Sequence, residues 1–138
     1  MNSKHALLYL FTIFLTLPCA CSSTEINGST PKYARQLCTE ALQPTQEKIE
    51  EATSKQQWQQ LPPLFQQLQR SAKDMWKNCV PKNSLNNIHS FRAQAKVFFQ
   101  ICQQALQTAN QQKWDKIPPL IKKIKQRCSL CHDEFKFP

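Results

Sequence analysis

From residue 31 onward, apolar side chains recur at intervals of three and four along most of the chain. This period predicts amphipathic helices rather than strands. The first helix runs from about Pro31 to about Thr53, opened by Thr30 as an N-cap with proline at the first helical position. Its apolar positions include Leu37, Ala41, Leu42, Ile49 and Ala52, and Pro44 inside it predicts a kink. The second helix runs from about Trp58 to Cys79, with Leu61, Leu64, Phe65, Leu68, Ala72, Met75 and Trp76 forming one stripe. Val80 to Asn87, with Pro81 and three asparagines, reads as a connector. The third helix spans about Ser90 to Ala109, carrying Phe91, Ala95, Phe98, Phe99, Cys102, Ala105 and Leu106 inward. The fourth spans about Trp114 to Glu134, with Ile117, Leu120, Ile121, Ile124, Cys128, Cys131 and Phe135 on one side. Glycine occurs once, at Gly28, which leaves few hairpin turns for a β fold.

The pattern repeats. Gln57-Trp58-Gln59-Gln60-Leu61-Pro62-Pro63-Leu64 echoes Lys113-Trp114-Asp115-Lys116-Ile117-Pro118-Pro119-Leu120 at an offset of 56 residues. Each unit is one helical hairpin whose apolar side cannot be buried alone. Two such hairpins predict an all-α fold, an antiparallel up-and-down four-helix bundle. Its topology brings the start of helix one, the end of helix two, the start of helix three and the end of helix four to one end. Cys38 and Cys79 meet there, and a disulfide between them is expected. The alternative is that Cys38, Cys79 and Cys102 are plain core thiols.

Ahead of the bundle, Lys4 and His5 precede an apolar run from Ala6 to Leu17, followed by Pro18, Ala20, Ser22 and Ser23. This predicts an export signal over residues 1–22, a linker over 23–30 and the bundle over 31–138. Cys21 after Ala20 suits lipoprotein processing, so a periplasmic protein, free or tethered through Cys21, is expected. The net charge of +9 is densest from Lys113 to Arg127. That run lacks interleaved aromatics, so nucleic acid is not the expected partner. A solvated helix face, or steering of an acidic redox partner or an anionic membrane surface, accounts for it.

Near the C-terminus stands Cys128-Ser129-Leu130-Cys131-His132. Cys-x-x-Cys-His is a haem c attachment pattern. Two thiols must meet the two vinyl groups of one porphyrin while an imidazole beside them reaches the iron. Positions i, i+3 and i+4 of a helix share the side that this requires. A zinc site would want a second Cys/His pair at ligand spacing, and the sequence holds none. Under the repeat offset, Ala72, Met75 and Trp76 stand where Cys128, Cys131 and His132 stand, so one haem per chain is expected, in the second hairpin.

With these residues in view, the chain resembles the cytochromes c′ over nearly all of its mature length. The string from Cys128 to Lys136 is similar to the family's haem-binding end, and Lys32-Tyr33-Ala34-Arg35-Gln36 resembles the Tyr-Arg-Gln opening of its first helix. The resemblance implies a five-coordinate iron with His132 as its axial ligand. It implies that Arg35 contacts a haem propionate and that Lys136 replaces a family arginine near the proximal face. The distal position falls on Thr39, or on Leu37 or Cys38 if the register slips. The expected pocket also draws on Leu42, Met75, Trp76, Phe91, Ala95 and Phe98. Family members often dimerise through the first hairpin, so a homodimer is expected by analogy.

Two functions follow from that resemblance: binding of a small gas such as NO or CO at an open iron site, or one-electron transfer. A six-coordinate variant of the second uses Met75 or His89 as sixth ligand. A haem-free exported bundle with interaction duties is the remaining alternative. The sequence offers no activated nucleophile or acid–base pair, so enzyme chemistry is not expected.

Overall fold

The computed structural model describes residues 36–79 and 87–135. The expected export signal and linker, the expected helix start at Thr30 and Pro31, Tyr33 to Arg35, residues 80–86 and Lys136 lie outside them. The described residues form four helices packed in sequence order as an up-and-down bundle. A π-helical turn, Cys38–Leu42, leads directly into α1, Gln43–Ser54. A 3-10 turn, Trp58–Gln60, opens α2, Leu61–Asn78. Then come α3, Ile88–Asn110, a second 3-10 turn, Trp114–Lys116, and α4, Ile117–Phe135.

The disruption expected at Pro44 takes the form of a π bulge in the helix. Pro44 lies in the first turn of α1, and the disruption is taken up by the π turn just before it. Proline has no N–H to return to the residue four back, and its ring crowds that carbonyl. In the wider turn the Gln43 N–H reaches back to the Cys38 carbonyl instead. Pro62 and Pro63, by contrast, occupy the first turn of α2, where missing donors cost nothing.

The core follows the predicted stripes. Phe65, Leu68 and Ala72 of α2 meet Phe91, Cys102 and Ala105 of α3 and Ile117 and Ile124 of α4, all fully buried or nearly so. α2 and α3 form the most extensive helix pair. At the turn end, Trp58 and Trp114 stack with centroids 5.9 Å apart and planes 14° from parallel, joining the two hairpins through equivalent residues. The termini of α1 and α3 end alike. Gln57 N–H donates to the Ala52 carbonyl at 2.8 Å and Lys113 N–H to that of Thr108 at 3.1 Å. Between them Gln56 and Gln112 adopt left-handed φ values of 54° and 55°. This is the Schellman arrangement, with glutamine where glycine is usual.

Candidate functional site

The last three turns of α4 bring Arg127, Cys128, Cys131 and His132 onto one cavity at the other end of the bundle. The cavity measures about 200 Å³. Its floor is apolar: Leu42 from the π turn, Met75 from α2, and Ala95 and Phe98 from α3. Cys38 and Thr39 of the π turn also line it. Three amides, Gln43, Gln46 and Gln94, make its rim. The two α4 thiols are half-buried, whereas His132 lies at the solvent edge. Apolar floor, paired thiols and an imidazole on one helix face form a donor set that fits a haem. The macrocycle is hydrophobic and its attachment points are two vinyl carbons. Among the described residues, no group of three His, Cys, Asp or Glu side chains is arranged to hold a bare metal ion.

Two polar chains bracket the cavity. On one side the Cys128 thiol donates to Gln46 Oε1 at 3.4 Å. Gln46 Nε2 then donates to Glu50 at 3.0 Å, and Lys125 Nζ donates to the same carboxylate at 2.9 Å. These bonds hold the Glu50 carboxyl below its usual range, the Gln46 amide being the largest cause. On the other side Arg127 Nη1 donates to Gln94 Oε1 at 3.3 Å. Gln94 Nε2 donates to Glu134 at 3.2 Å, and the Ser90 hydroxyl reaches Glu134 at 2.5 Å. The first chain ties α1 to α4, the second ties α3 to α4.

Burial dominates the thiols. It pushes Cys128 up to about 11 and Cys131 up to about 12, with nearby Cys38 and Cys128 adding to the rise at Cys131. Cys38 is pushed up to about 11 by burial and then by Cys128. All three therefore stand as neutral thiols at pH 7, unlike the low-pKa cysteines of thiol enzymes.

The disulfide expected between Cys38 and Cys79 is not formed, and both are free thiols. Cys79 is wholly buried where α2 ends, near enough to Cys38 for that thiol to add to the rise at Cys79, and Cys38 itself lines the cavity with Cys128 and Cys131. Phe91 also departs from expectation. It is not a lining residue but core, set edge-to-face on Phe135 at 5.2 Å and 87°. Trp76 stacks on Phe99 at 5.6 Å, and neither it nor Leu37 lines the cavity. Thr39 does, with its hydroxyl donating to the Gln36 carbonyl at 3.3 Å. His89 is exposed at the start of α3 and does not, whereas Met75 does. Arg35 and Lys136 fall outside the described residues. Sequence reasoning missed Gln43, Gln46, Gln94 and Arg127. For Arg127 a signal existed: it stands four residues before Cys131, one turn along the same face.

Comparison with known proteins finds no matching family model, no matching curated protein and no matching solved structure. No helix among the described residues is long and apolar enough to cross a membrane.

Proposed function

We propose that this chain is an exported c-type cytochrome of the cytochrome c′ kind, holding one haem through Cys128 and Cys131 with His132 as axial ligand. The observation that carries this reading is the convergence of those three side chains on one cavity with an apolar floor. When bound, the haem supplies an iron that takes a diatomic gas or passes one electron. The chain's own part is to anchor, orient and keep water away. Cys128 and Cys131 fix the position, and Leu42, Ala95 and Phe98 supply the dry wall. Gas binding at an open sixth position, with NO or CO as ligand, is the favoured role.

One observation favours a second reading. Met75 lines the same cavity as His132, so a six-coordinate electron carrier would use its thioether, and His89 is the weaker candidate. The lysines of α4 suit an acidic redox partner. The export signal, periplasmic location, tether at Cys21 and homodimer belong to the same proposal and rest on the sequence alone.

Haem staining of denatured, reduced protein tests the attachment. Matured wild type stains, and Cys128→Ala with Cys131→Ala does not. An unstained wild type refutes the reading. Optical spectra then separate the roles. A high-spin ferric spectrum that changes on adding NO supports the open site. A low-spin spectrum that Met75→Ala turns high-spin supports the second reading.

A further inference from the structure

The α2–α3 pair carries a second cationic face, distinct from the basic run of α4. The two helices hold Arg70, Lys73, Lys77, Arg92 and Lys96 against Asp74 alone, and α3 has no acidic residue. All five cations are exposed. Among the described residues none of them forms an ion pair, whereas Lys116 and Lys125 are paired with Asp115 and Glu50 at 3.4 and 2.9 Å. Asp74 accepts from the Asn78 side-chain amide.

Trp76 and Phe99 stand half-buried on this face, stacked with centroids 5.6 Å apart. Two ammoniums converge on the indole, Lys77 Nζ at 4.4 Å and Lys96 Nζ at 5.7 Å from its centroid. Lys73 stands one turn before Lys77, and Arg92 one turn before Lys96, so each stripe continues. The negative face of the ring steadies like charges that would otherwise part. Cations already held in place lose little freedom when a carboxylate arrives. Tryptophan and arginine are also the side chains that most often anchor protein contacts.

We infer that this α2–α3 face, centred on Trp76, docks an acidic protein. A bilayer is the poorer fit: Leu130 on α4 is the one exposed large hydrophobic among the described residues, so this face offers no apolar wedge. Nucleic acid is poorer too, because Phe99 and two ammoniums already crowd the indole on which a base would stack. A second copy would set like charges face to face. Trp76 follows Met75 and Phe99 follows Phe98 in sequence, and Met75 and Phe98 both line the cavity. The face is therefore the outer side of the cavity's own wall. Resting on the haem reading above, the acidic protein is a redox partner.

The test measures binding of poly-glutamate to the matured full chain by calorimetry at low salt. Wild type is expected to bind, and to lose binding as salt screens the charges. K77E with K96E is expected to weaken binding about tenfold or more, because attractions become repulsions. K122E with K123E makes the same change of charge at exposed positions of α4 and is expected to weaken it about threefold or less. K77Q with K96Q, expected to weaken it by less than K77E with K96E, carries the test if that pair does not accumulate. No binding by wild type, or equal weakening by the α2–α3 and α4 pairs, overturns the docking face and leaves the haem reading standing. Tighter binding of phosphatidylglycerol vesicles or a single-stranded oligonucleotide through the same two lysines overturns the choice of partner. A colourless wild type that binds poly-glutamate through Lys77 and Lys96 overturns the haem reading and leaves the docking face standing.

Discussion

The two hairpins are alike at one end of the bundle and unlike at the other. At the turn end the correspondence is residue for residue: Gln56 with Gln112, the paired Schellman bonds, and Trp58 stacked on Trp114. At the cavity end the same offset sets Ala72, Met75 and Trp76 against Cys128, Cys131 and His132. In the first hairpin those positions close the structure. Ala72 is fully buried, Met75 nearly so, and Trp76 lies on Phe99 with Lys77 over its ring at 4.4 Å. In the second, Cys128 and Cys131 are half-buried and His132 is exposed, and all three line the cavity that Met75 reaches from the first. A repeated backbone thus supplies rigidity twice and an opening once. The site arises where one copy stops filling its own interior.

Four perturbations break or sharpen that contrast. Phe65 and Ile121 are repeat mates, and Phe65 is fully buried while Ile121 keeps 8% exposure. Phe65→Ala is expected to cost about 3–5 kcal/mol and Ile121→Ala about 2–3 kcal/mol, by urea unfolding. Equal losses would mean the second hairpin is packed as tightly as the first.

Alkaline pH comes next. Burial pushes Cys79 up to about 12, and it raises Cys102 further still. A thiol whose folded pKa is raised leaves stability intact below its ordinary value. That stability is lost as pH climbs from there through the folded value, because the unfolded chain ionises first. The expected loss is about 1.4 kcal/mol per pH unit per thiol. Cys79→Ala and Cys102→Ala, one from each hairpin, should each flatten the slope by one thiol's share. A slope unchanged in both variants would refute the assignment.

Smaller is the tryptophan stack. A double-mutant cycle of Trp58→Ala and Trp114→Ala should return a coupling of about 0.5–1.5 kcal/mol. Additive losses would show that the hairpins are not joined there. Smallest are the left-handed glutamines. Gln56→Gly and Gln112→Gly should each raise the thermal midpoint, with a gain of up to about 1 kcal/mol, because glycine carries no Cβ penalty at positive φ. Unequal gains would show that the two turns differ in strain.

Much of this was legible in the sequence, for reasons that differ by residue. The helices were readable because burial imposes a period, and Leu61, Phe65, Leu68 and Ala72 keep it. Cys128, Cys131 and His132 were readable as a cluster because positions i, i+3 and i+4 fall within one turn. Leu42, Met75, Ala95 and Phe98 were reachable from topology, which sets the level along the bundle. Topology does not set the angle around each helix, and that is why Leu37, Trp76 and Phe91 were expected at the cavity and turned out to pack elsewhere. Gln43, Gln46 and Gln94 were hidden by abundance, since glutamine is an ordinary helix-surface residue here. Arg127 was hidden inside a basic run that reads as a solvated face.

The π turn at Cys38–Leu42 has an azimuthal consequence. One α-helical residue advances the chain by about 100°, so the extra residue held in this wider turn swings everything upstream around the axis relative to α1. Gln36 and Leu37 are therefore delivered to a different compass bearing from the one a continuous α-helix through Pro44 would give. Removing a single residue between Cys38 and Leu42 should re-aim Gln36 and Leu37 while leaving the bundle behind them in place.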